Sequence, residues 1–144
     1  MHVINIKPLK AYTDNYIWLL ETNEEVSIVD PGDAKPVLDY LSKTNKNIRD
    51  IFITHHHFDH TAGVPELENI ISGSIYGPKN SYELINEKVT QGDTLSSLGI
   101  KFEIIEVPGH TLDHIAFYNE ENDILFCGDT SVSYTHLRAH ETWV

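Results

Sequence analysis

Three apolar, strand-like runs in this 144-residue chain each stop at residues of metal-ligating type, and that repetition limits the fold more than any other feature. Ile51, Phe52 and Ile53 lead into T-H-H-H-F-D-H at 54–60. The alternating run 100–107 leads into Pro108, Gly109 and His110, and the run 124–127 leads into Gly128, Asp129 and Thr130. Loops leaving strand ends are where an α/β protein places its chemistry, and several such ends converging on one place build a site. Imidazole is the commonest protein ligand for zinc, and a carboxylate beside it suits a second or harder metal. If the segment is extended, His55, His57 and Asp59 share one face while His56 and Phe58 point the other way. Alone, His110 reads as a structural histidine and Asp129 as a turn residue; beside the histidine loop both become ligand candidates for one metal or two.

The rest of the chain supplies the scaffold. Alternation over 2–9 and the apolar run 16–20 predict two strands, with a turn over 11–15 and a third strand at 26–29 stopped by Asp30, Pro31 and Gly32. Short connections make this opening antiparallel. Val37, Leu38 and Leu41 recur at helical spacing, so 34–42 is expected to be a helix on the sheet, followed by a polar linker over 44–50 and a strand at 51–54. Val64, Leu67, Ile70 and Ile71, with Pro65 near the start, predict a further helix. Residues 74–76 read as a short strand and 79–86 as a helical turn or two. The runs 114–118 and 124–127 pair as a hairpin across the polar turn 119–123.

Composition narrows the partners. Ten Lys and Arg against 22 Asp and Glu give a formal charge of −12, which argues against nucleic acid or an anionic membrane. No apolar run approaches the roughly 20 residues that span a bilayer, and no secretory signal is visible at the N-terminus. A single cysteine, Cys127, rules out an internal disulfide and fits a reducing, cytoplasmic setting; it reads as a small buried residue rather than a nucleophile.

With H-x-H-x-D-H at 55–60, P-G-H-T at 108–111 and G-D-T at 128–130, the chain resembles the metallo-β-lactamase fold superfamily. The stretches Y-T-D-N-Y-I-W at 12–18, V-D-P-G-D-A at 29–34 and L-F-C-G-D-T at 125–130 are similar to bacterial glyoxalase II, the hydroxyacylglutathione hydrolases. The resemblance implies an α+β fold, an αββα sandwich with a site for two divalent metals. Zinc is expected there, with iron or manganese as alternatives. The activity implied is hydrolysis of a glutathione thioester, S-lactoylglutathione, to glutathione and lactate in methylglyoxal detoxification. It also implies that His55, His57, His110 and Asp129 hold the first metal, that Asp59, His60 and Asp129 hold the second, and that Asp59 positions the attacking hydroxide. Asp30 resembles the family's carboxylate that orients metal ligands, and Thr130 takes a supporting place. His114 reads equally as a supporting or a purely structural residue; Asp113 stands where many family members have Gly. A thioester carbonyl needs a strong nucleophile at neutral pH, which a metal ion provides by lowering the pKa of water to about 7. The full-length family is expected to be monomeric.

The resemblance stops after Thr130. Residues 132–142 resemble one reading frame of a transposase mosaic-end adapter, so the domain is expected over 1–130 and a non-native tail over 131–144. On that expectation the fold is truncated after the first sheet and part of the second, and the chain is a gene fragment. The second metal then lacks a histidine, no glutathione-gripping groups can be named, and the first sheet exposes an apolar face for want of its partner layer. His136 and His140, four apart, would only imitate a metal pair. Two rival readings remain. One is an iron persulfide dioxygenase of the same fold using His55, His57, His110 and Asp129, against which the aromatic stretch 12–18 argues. The other is a catalytically inactive fragment that binds metal.

Overall fold

A computed structural model describes residues 5–11, 15–55, 58–79, 82–107, 114–127 and 142–143. The first sheet takes its six strands in chain order: β1 (Asn5–Ala11), β2 (Asn15–Glu21), β3 (Glu25–Val29), β4 (Asn47–Phe52), β5 (Ile75–Pro78) and β6 (Glu87–Val89). β1, β2 and β3 are antiparallel, as their short connections require. From β3 onward the neighbours are parallel, because helix α1 (Ala34–Thr44) carries the chain back across the sheet between β3 and β4. Parallel β3 and β4 therefore end on the same edge, Asp30 after one and Thr54 and His55 after the other. Two short α-helices follow, α2 (Phe58–Thr61) and α3 (Val64–Leu67), then a 3-10 turn at Glu68–Ile70. Among the described residues no helix is long and apolar enough to cross a membrane.

The second sheet contains β7 (Thr94–Ser97), β8 (Ile100–Glu106), β9 (Ile115–Asn119), β10 (Ile124–Phe126) and β11 (Thr142–Trp143), in the order β11-β10-β9-β8-β7. Its neighbours are antiparallel except β10 and β11, which run parallel. Period-two alternation sorts the side chains into layers. Ile17, Leu19, Val26 and Ile28 pack under α1 and α3 with Val37, Val64 and Leu67. Leu20, Val29 and Phe52 face the other way and meet Phe102, Phe117 and Phe126 of the second sheet. Phe52 is the hub of this layer, stacked on Phe117 with centroids 4.8 Å apart and edge-on to Phe102 at 5.3 Å. A buried polar chain also crosses between the sheets. Ser97 donates to Asp50 Oδ2 at 2.6 Å, so its oxygen accepts from Ser27, 2.5 Å away, while Asp50 Oδ1 takes the Ser74 amide at 2.8 Å.

Several sequence expectations change. The first sheet does have its partner layer: residues of β7 to β10 in the second sheet cover the apolar face that was expected to lie open. The expected polar linker over 44–50 becomes strand from Asn47, because a register shift opposite Val26 and Ile28 lets Ile48 and Ile51 both face the helices and destroys the simple alternation. The helix expected from Val64 breaks after one turn into a 3-10 turn, and Ile70 is left exposed. No helix forms over 82–86, the described part of the turn expected at 79–86. Tyr16, read as part of a buried run, is about half exposed (51%) at the start of β2. The strands β6 and β7 carried too few apolar residues to be recognised.

Candidate metal centre

At the edge where β3 and β4 end, Asp30 adopts a left-handed backbone conformation (φ 51°), and its amide donates to Phe52 O at 2.8 Å. Aspartate tolerates this region better than most residues, because its short side chain bonds locally. Gly63 brings the start of α3 against this turn: its amide donates to Pro31 O at 2.8 Å, and a Cβ there would lie 2.6 Å from the same oxygen. The turn thus aims the Asp30 carboxylate at the β4 loop. Oδ1 accepts the Thr54 amide at 2.8 Å and Oδ2 the Thr54 hydroxyl at 2.7 Å.

That arrangement settles two proton positions. The Thr54 hydroxyl has one hydrogen and gives it to Asp30, so toward His55 Nδ1, 2.9 Å away, its oxygen can only accept. His55 therefore carries a proton on Nδ1, which in the neutral ring makes Nε2 the ligand-type nitrogen. His60 Nδ1 lies 3.2 Å from Asp30 Oδ2, and a carboxylate oxygen likewise accepts, so His60 also offers Nε2. One buried carboxylate orients two imidazoles, directly for His60 and through a threonine hydroxyl for His55; such support raises ligand basicity and holds the ring plane.

Asp30, His55 and His60 each place a ligand-type atom within 4.8 Å of the others. The carboxylate, however, already accepts three hydrogen bonds, which suits it to holding ligands rather than serving as one. Two imidazoles backed by a carboxylate suit zinc, iron or manganese, whereas calcium and magnesium favour all-oxygen environments. The His55 ring lies between two others, with centroids 4.3 Å from His60 (49° between planes) and 4.4 Å from His114 (18°). His114 Nε2 contacts the Cys127 carbonyl at 3.1 Å, and since a carbonyl only accepts, Nε2 donates.

Of the residues singled out in the sequence, Asp30, His55, His60 and His114 are brought together in one buried cluster. His57, His110, Asp129 and Thr130 lie outside the described residues, and Asp59 is placed by its backbone alone, within α2. The extended alternation expected over 55–60 does not hold from Phe58 on, because Phe58–Thr61 is helical and sets His60 back toward Asp30. Thr54 was missed as a functional residue. The available signal was a buried-strand threonine directly before the first histidine. A separate cavity of about 670 Å³, lined by residues including Lys101, Glu103, Tyr118 and Glu121, contains none of these groups.

Two sheets with helices on the first, and a histidine cluster at the strand ends, define an α/β sandwich with a candidate metal site, and the sequence profile of the metallo-beta-lactamase superfamily matches residues 13–143; the chain belongs to that superfamily. Within it, the chain is 44% identical over 133 residues to the hydroxyacylglutathione hydrolase of Idiomarina loihiensis, a match that covers 90% of this chain and 52% of the relative. The chain thus spans about half the length of the curated relatives it matches. Among solved structures, the BLEG-1 B3 metallo-beta-lactamase superposes with a TM-score of 0.76 at 20% identity, covering 88% of this chain and 72% of that one. ETHE1 from Myxococcus xanthus gives 0.71 at 25% identity, covering 89% and 57%.

Proposed function

We propose that this chain carries the metal-binding core of a hydrolase acting on glutathione thioesters of 2-hydroxy acids. The reading rests on its 44% identity to a hydroxyacylglutathione hydrolase across 90% of its length. The geometry supports it, because the Asp30 and Thr54 network fixes His55 and His60 in the tautomer that presents Nε2. His55, His57, His110 and Asp129 would hold one divalent metal, and Asp59, His60 and Asp129 a second. Bound there, the metals would supply Lewis acidity toward the thioester carbonyl and lower the pKa of a water molecule.

The chain's own groups have defined tasks in this scheme. Asp30 and Thr54 hold the imidazole rings, and Asp59 orients the nucleophile. No side chain needs to act as a strong general acid, because a thiolate leaves readily. Cys127, directly after β10, is buried, and its thiol takes no part in the reaction. In the same reading the native domain sequence occupies residues 1–130, 131–144 are a non-native tail whose Thr142–Trp143 nevertheless pair with β10, and the protein works in the cytoplasm.

The test is thiol release from S-lactoylglutathione by the protein extended with its native gene sequence beyond Thr130, with and without added zinc. Metal-dependent release is expected. Oxygen uptake with glutathione persulfide, and no thioester hydrolysis, would replace this reading with a dioxygenase. For the 144-residue chain, which matches about half of each relative, metal binding with little turnover is the expected result.

A further inference from the structure

We propose that His114 is a positioning residue that locks together the three strand ends from which the proposed metal ligands issue. This rests on the metal-centre reading above. The backbone N–H of Ile115 donates to Thr54 O at 3.0 Å, immediately before His55. The carbonyl of His114 accepts from Val107 N at 2.9 Å, and Val107 is the last residue of the run that leads to His110. The His114 ring donates through Nε2 to Cys127 O at 3.1 Å, two residues before Asp129. One residue and its neighbouring amide thus tie all three segments at the point where each leaves its strand.

The ring does a second job. It lies nearly flat on His55 (18° between planes, centroids 4.4 Å apart), with His60 also in ring contact with His55 at 4.3 Å. Thr54 fixes the Nδ1 edge of His55, and an edge contact alone leaves the ring able to tilt about that bond. The flat face of His114 removes the tilt. Because His114 is buried and its Nε2 hydrogen is committed to a carbonyl, it cannot swing away to relieve a misplaced ligand. Its role is to define the angle at which His55 Nε2 meets a metal. It touches no reacting atom in this scheme.

Cobalt(II) titration of the full 144-residue chain tests this, with affinity read by competition against a chelator and ligand geometry by the visible d–d spectrum at saturation. His114→Phe keeps a flat ring and loses the donor; about 10–100-fold weaker binding is expected, the range seen when support of a ligand histidine is removed. His114→Gln returns a donor near the Nε2 position and lacks the ring, so a smaller loss of affinity with a shifted d–d band is expected. A residue that served only general stability would leave the spectrum of the folded, saturated protein unchanged. Either variant, if folded, showing the affinity and spectrum of the unsubstituted chain overturns the proposal. If His114→Phe does not fold, the Gln variant decides alone. Failure of the unsubstituted chain to take up cobalt would instead overturn the metal reading and this inference with it.

Discussion

The carboxylate of Asp30 takes both the amide and the hydroxyl of Thr54, at 2.8 and 2.7 Å, across 24 residues of sequence. This pair links the end of β3 to the end of β4. It also determines which nitrogen of His55 carries a proton, so a contact with no reacting atom in it sets the chemistry of the site.

Asp30→Asn is the sharpest probe of that carboxylate. Asparagine tolerates the left-handed backbone at this position, so the fold is expected to survive. The amide accepts through one atom only, however, and its NH2 group faces either the Thr54 amide, in the place of Oδ1, or both the Thr54 hydroxyl and His60, in the place of Oδ2. Metal affinity should fall about 10–100-fold, measured by chelator competition. Asp30→Ala should lose a further ~1 kcal/mol or more in urea unfolding, because alanine is strained in this conformation.

Thr54→Val keeps the shape of the side chain and removes the hydroxyl. His55 Nδ1 then loses its acceptor and Asp30 Oδ2 one of its donors. A destabilisation of about 1–3 kcal/mol in urea unfolding is expected, with weaker metal binding; Thr54→Ser should stay close to the parent in both measurements. Equal behaviour of the Val and Ser variants would show that the hydroxyl does not orient His55.

Phe52 carries the contact between the sheets, fully buried against Phe102, Phe117 and Phe126. Phe52→Ala should cost about 3–5 kcal/mol by equilibrium denaturation, the range for a large aromatic removed from a packed core. A loss below 1 kcal/mol would mean that the second sheet is not firmly seated on the first.

Alkaline pH addresses Tyr76, which packs edge-on to Phe52. Burial, and next the nearby Asp50 carboxylate, raise its phenol above the ordinary value of 10.0. The folded state then holds the phenolic proton more tightly than the unfolded chain does. This contribution is complete below about pH 10 and is lost as pH rises through the raised value. Tyr76→Phe should reduce the fall of stability on the alkaline side without removing it, since Tyr82 is raised in the same direction, chiefly by burial.

Much of the scaffold was legible in the order of residues. Alternation in β1 and β8 and short apolar runs in β2 and β9 need only neighbours along the chain to mark a strand, and histidines at strand ends announce metal chemistry by residue type. Where the pattern was interrupted locally, the reading failed. The register shift in β4 hid the first residues of that strand, and the helical turn at Phe58–Thr61 overrode the alternation expected for the histidine loop.

Residue types and their spacing along the chain were enough to determine that this protein builds a β-rich scaffold around a histidine and aspartate site, because hydrophobic periodicity and ligand chemistry are properties of short segments. The tertiary structure alone decided that Asp30 and Thr54 meet, that His55 and His60 present Nε2, and that His114 lies flat on His55. Apart from the contact between the neighbours Thr54 and His55, these join positions 24 to 59 residues apart in the sequence numbering. The physical reason is that proton placement and ring orientation depend on partners delivered by the packing of separate strand ends, which no local pattern encodes.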